Sequence, residues 1–152
     1  MYKKVVSLFG LVILISGCAV KKTEEPSLEG FDKSKLNRAI ELYACSSYFN
    51  IVSTQQKKRE DIIQYEKLAG QAETLGDELV AVADNDPHFL DYNVEQSLFK
   101  KGSLQAIEMI KAIGRDKTGT KYKDTTIACS KLIDKEQFIY NVKFIDKHQK
   151  NK

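Results

Sequence analysis

From Asp32 onward the apolar side chains recur every three or four positions, the period of an α-helix. Leu36, Ile40, Tyr43, Ser47 and Ile51 step by 4, 3, 4 and 4 residues, and Asp32 or Ser34 can cap the helix they predict. The stripe breaks between Val52 and Ile62, where STQQKKRED supplies no core-facing side chain, so a turn or a solvent-exposed helical extension is expected there. A second helix follows on Ile62, Tyr65, Ala69, Ala72, Gly76, Leu79 and Ala83, with Leu68, Leu75 and Val82 widening its apolar face. Small residues on this helix permit close approach, so the two segments read as an antiparallel hairpin.

Asp84-Asn85-Asp86-Pro87 ends the second helix, because proline disfavours helical geometry at the residue before it. A third helix is predicted from about Tyr92 to Ile113, carrying Val94, Leu98, Phe99, Ala106, Met109, Ile110 and Ile113, with Gly114 as its stop. The loop RDKTGTKYKD then leads to Asp124, a cap for a fourth segment bearing Ile127, Cys129, Leu132 and Ile133. Residues 138–145 fit two periods: Phe138, Tyr140, Val142 and Phe144 alternate like a strand, while Phe138, Ile139, Val142 and Ile145 fit a helix. No second strand is available to pair with such a strand, so the segment reads as helix. The fold expected is all-α, a small bundle of four to five helices built on antiparallel hairpins, with no longer repeat.

The first 17 residues have a different character. Lys3 and Lys4 precede an apolar run from Val5 to Ile15, too short to span a bilayer and of the length of a secretory signal core. The residues Ile15-Ser16-Gly17-Cys18 that follow resemble the lipobox of bacterial lipoproteins. In that family the cysteine thiol receives a diacylglyceryl group and the signal is cut just before it. The resemblance implies that Cys18 becomes the lipidated first residue and attaches the protein to a membrane. In Gram-negative sorting an aspartate after the cysteine retains a lipoprotein at the inner membrane; Ala19 stands there instead, which implies the outer membrane, facing the periplasm. The resulting organisation is a removed signal (1–17), a lipidated cysteine and tether (18–30) and a single helical domain (31–152).

Composition narrows the classes. With 42% hydrophobic and 30% charged residues the chain is neither a disordered polyampholyte, a collagen nor a polytopic membrane protein. The formal charge of +3 falls to about +1 when Lys3 and Lys4 leave with the signal, which removes any overall-charge argument for a nucleic-acid partner. Of the 3 cysteines, assigning Cys18 to lipid leaves Cys45 and Cys129, an even pair in an exported chain, for which a disulfide is the default. Each sits in an Ala-Cys-Ser tripeptide whose small neighbours suit the short Cα separation a disulfide requires. The alternatives are two buried free thiols or a redox pair, the latter without a Cys-x-x-Cys to lower a thiol pKa.

Chemistry is sparse. The candidate binding loop is Asp84–Asp91, which gathers Asp84, Asp86 and Asp91 with His88, one of only 2 histidines. Asp84, Asp86, His88 and Glu95 imitate a calcium loop, but Phe89 stands where the sharp turn needs glycine and Pro87 stiffens the approach. A capped inter-helix loop is the plainer reading. No nucleophile elbow, His-Glu-x-x-His or phosphate-cradling glycine loop occurs, so no catalytic residue, metal or cofactor is expected. Arg115, Lys117, Lys121 and Lys123 with Tyr122 form the one locally basic patch, and Tyr43, Tyr48 and Phe49 read as core. The function expected is a membrane-anchored extracytoplasmic lipoprotein that binds a protein partner without catalysis, in its sharper form an inhibitor or immunity-type protein. A small-ligand carrier and an envelope enzyme using Asp84–Asp91 are the alternatives.

Overall fold

Asp32 Oδ1 accepts hydrogen bonds from the backbone N–H groups of Ser34 and Lys35, at 2.9 and 3.3 Å, and so satisfies donors that the first helical turn leaves orphaned. From this cap α1 runs over Lys33–Ser53. The computed structural model describes residues 25–83 and 92–149, with side chains through residue 143. After a turn comes α2, Arg59–Ala81, then α3, Tyr92–Arg115, and α4, Thr120–Gln149. The described residues are all-helical, four helices in antiparallel hairpins clamped by one disulfide.

The stripe read along α1 marks only part of its buried surface. Leu36, Ala39, Leu42, Tyr43, Cys45, Tyr48, Phe49 and Val52 are all buried, whereas Ile40, Ser47 and Ile51 are half-buried. These buried positions lie on most sides of the helix because α1 packs against α2, α3 and α4 at once. A central helix is buried nearly all round and loses the one-sided pattern of a surface helix. The expected face of α2 is the observed one, with Ala69, Ala72, Leu75, Gly76 and Leu79 inward, except that Val82 lies at the helix end and is half exposed.

Two boundaries differ from the sequence expectation. Gly114 does not stop α3, which continues through Arg115. Asp124 does not cap the last helix, since α4 already begins at Thr120. Asp116 takes the capping role from outside, accepting from Thr118 N–H at 3.0 Å and Lys121 N–H at 2.7 Å, while Gly119 supplies the left-handed φ of 72° that the turn requires. The fourth segment and the ambiguous tail are therefore one helix, residues 138–145 included.

Glycines bring the helices close. A Cβ built on Gly102 would lie 2.6 Å from Tyr43 Cβ and 2.8 Å from both Ala44 N and Ile40 O, so α3 crosses α1 almost backbone to backbone. One on Gly76 of α2 would lie 2.8 Å from the Tyr43 ring. Tyr43 thus sits between two helices with no room to spare, its ring edge-on to Phe99 at 5.4 Å. Asp32 N–H donates to Ala83 O at 2.9 Å, which brings the start of α1 to the end of α2.

α4 is held to this hairpin at separate points. Cys45 and Cys129 are bonded, with Cα atoms 5.4 Å apart. Tyr48 and Thr126 hydroxyls pair at 2.8 Å, as do those of Tyr65 and Tyr122, with Phe49 stacked on Tyr65 at 5.8 Å. Tyr43, Tyr48 and Phe49 are fully buried, as the sequence reading expected. The contacts from Tyr65–Tyr122 at one end to Val82 and Lys143 at the other show that α2 and α4 run in the same direction. Among the described residues no helix is long and apolar enough to cross a membrane.

Candidate functional site

Every α-helix that packs on one side presents the other to solvent, and on α4 both sides are unusual. Its inner side places Cys129, Ile133 and Glu136 in the core at helical spacing. Glu136 is only 3% exposed; its Oε1 accepts from Arg38 Nη1 at 3.1 Å, while Arg38 Nε is buried without a partner. A carboxylate this deep is tolerable because a guanidinium answers it.

Beside this pair α2 and α4 part to form a groove of about 260 Å³. Leu75, Leu79 and Val82 form one wall and Ile139 and Tyr140 the other, with Glu78, Glu136 and Lys143 as its polar groups. It continues toward Gly70 as a second hollow of about 280 Å³ bounded by Gln71, Thr74 and Gln137. Neither Glu78 nor Lys143 has an ion-pair partner among the described residues. Apolar walls with a few polar groups at fixed positions suit an apolar side chain or a short aliphatic ligand.

The outer side of α4 carries Ile127 (41% exposed), Phe138 (70%) and Val142 (41%) among charged neighbours. Phe138 is the most exposed large hydrophobic side chain among the described residues. Exposed apolar groups gathered on one helix face and rimmed by polar residues have the character of an interaction surface.

On the far side of α1, Tyr43 Oη donates to Asp77 Oδ1 at 2.7 Å and Ser46 Oγ donates to Glu73 Oε2 at 3.5 Å. Burial, with the Asp77 and Glu73 charges, pushes the Glu95 carboxyl above its usual range, and burial with the bond to Asp77 pushes the Tyr43 phenol up. The two bonds tie α1 to α2, with Glu95 of α3 facing their carboxylates; among the described residues no group of three or more potential ligands is placed to hold a metal ion. The basic patch is organised around a carboxylate: hydrogen bonds from Thr118 and Lys121 hold the Asp116 carboxyl at about 2.

Of the residues singled out in the sequence, Cys45 and Cys129 are brought together as a disulfide. Cys18 and the loop residues Asp84, Asp86, His88 and Asp91 lie outside the described residues. Sequence reading missed the Arg38–Glu136 pair and the groove. One signal existed: Glu136 continues the stripe of Cys129 and Ile133, a charged residue in an apolar register. No family model, curated protein or solved structure matches the chain.

Proposed function

We propose that the protein is a lipid-anchored, extracytoplasmic helical domain that works by binding another protein, without catalysis, and that its sharper role is that of an inhibitor or immunity-type protein. The observation that supports binding is the apolar groove between α2 and α4, with the partly exposed Tyr140 on its wall. The lipobox resemblance at Ile15–Cys18 supports the anchor, and Ala19 supports the outer membrane.

The test is affinity capture from oxidised, detergent-solubilised envelopes with the wild-type chain and a Tyr140→Asp variant in parallel. A partner enriched by the wild type and lost with Tyr140→Asp supports the reading; recovery of nothing specific to the wild type overturns it. The groove also favours a second reading, a small apolar ligand held between α2 and α4, and native mass spectrometry of the protein extracted from its own envelope checks for that mass.

A further inference from the structure

The outer face of α4 is complementary to itself. Ile127, Lys131, Asp134, Phe138 and Asn141 step by 4, 3, 4 and 3 residues, the spacing of a coiled-coil seam, and every one of them is exposed. They lie opposite Cys129, Ile133 and Glu136, so the seam points directly away from the bundle. Its order of chemistry is apolar, positive, negative, apolar. Turned end for end about a two-fold axis between Leu132 and Ile133, the same face presents Phe138 to Ile127, Ile127 to Phe138, Asp134 to Lys131 and Lys131 to Asp134. Neither Lys131 nor Asp134 has an ion-pair partner among the described residues.

We infer that the α4 seam is the interface of a symmetric dimer in which two copies pair their α4 helices antiparallel. The occupant is a second copy because each half of the match is on the same helix: the apolar knob, its counterpart and the two opposite charges occur in the order that a two-fold axis requires. A shift of the pairing by three residues sets Lys131 against the other copy's Lys131 in one direction and Asp134 against the other copy's Asp134 in the other, so the central ion pairs select the register. The contact is small, one helix against one helix, and confinement of both chains to one membrane surface raises their effective concentration. This inference goes beyond the protein-binding reading and does not need its foreign partner.

The experiment uses the full chain in its membrane. Asp124→Cys and Asn141→Cys, positions that the same axis sets face to face while Ile127 and Phe138 stay in place, are introduced singly and together, and membranes are treated with a short bismaleimide; Cys45 and Cys129 are already bonded to each other. The expected result is a band of twice the mass for the double variant and none for either single variant, since only an antiparallel pair brings position 124 to position 141. In that background Asp134→Lys or Lys131→Asp lowers the crosslinked fraction by about tenfold, because symmetry repeats each repulsion, and Lys131→Asp with Asp134→Lys together restores it. Absence of the band, crosslinking of the single variants, or failure of the exchanged pair to restore it overturns the dimer. Envelope capture of a foreign partner is read separately, so either reading can fail without the other.

Discussion

Arg38 of α1 bonds Glu136 of α4 at 3.1 Å, and the acceptor is the more deeply buried of the two, 3% exposed against 30% for the arginine side chain. The asymmetry decides what a substitution does. Arg38→Ala strands a buried carboxylate and is expected to cost about 2–4 kcal/mol in urea unfolding, whereas Glu136→Gln leaves a half-exposed cation that water can reach and costs about half as much. Replacing both, as Arg38→Met with Glu136→Leu, should restore most of the loss. Equal costs for the two single changes would show that the pair is not the buried unit described.

The helix crossings make a second prediction. Gly102→Ala puts a methyl against the α1 backbone, which cannot turn aside, while Gly76→Ala meets side-chain atoms alone, the Tyr43 ring at 2.8 Å and beyond. Gly102→Ala is expected to destabilise by about 2 kcal/mol or more and Gly76→Ala by less. Gly70→Ala, in open space within α2, should stabilise by about 0.5–1 kcal/mol. Thermal melts of the three variants give the order directly.

The disulfide closes a separation of 84 residues, for which the chain-entropy model gives roughly 4.5 kcal/mol. Since α4 meets the α1–α2 hairpin at scattered points, its loss should be felt locally before it is felt globally. In a Cys45→Ala, Cys129→Ala variant the amides of α4 are expected to lose hydrogen-exchange protection first, with α1 and α2 retaining theirs. Uniform loss along the chain would show α4 to be integral to one cooperative unit.

Two carboxylates respond to pH in opposite directions. Asp116 is held at about 2, below the ordinary aspartate value of 3.8, so its contribution is present above that ordinary value and is lost as pH falls toward 2. Asp116→Ala should therefore lower the melting temperature at neutral pH and have no effect once the wild-type carboxyl is protonated. Glu95 is raised by burial and by the Asp77 and Glu73 charges. Its stability contribution is greatest in acid and is lost as pH rises through its folded value, so Glu95→Gln should raise the melting temperature at neutral pH. Melting curves from pH 2 to 7 separate the two.

The periods of α2 and α3 were legible because each helix buries one side, and the pairing of Cys45 with Cys129 was legible because reading Cys18 as a lipobox cysteine leaves two thiols, each between small neighbours. α1 was harder to read: burial on most sides erases the periodicity that reveals a single buried face. Gly114 and Asp124 carried the right residue types for a stop and a cap, but the turn formed around Asp116 and Gly119 instead. The groove was not legible at all. Its walls, Leu75–Val82 and Glu136–Lys143, are far apart in sequence, and their relative register is set by contacts at Cys45–Cys129 and Tyr65–Tyr122 that no local pattern encodes.

Leu28 and Phe31 pack against the core, and Glu25 reaches Lys101 of α3 at 3.6 Å. The segment expected to be a free tether is therefore partly spent on the domain itself. In the lipoprotein reading only residues 19–24 remain as a leash, and six residues reach at most about 20 Å. That is shorter than the length of α4, about 45 Å at 1.5 Å per residue for 30 residues. On that reading a body longer than its leash would keep close to the lipid surface, and would meet its partners there.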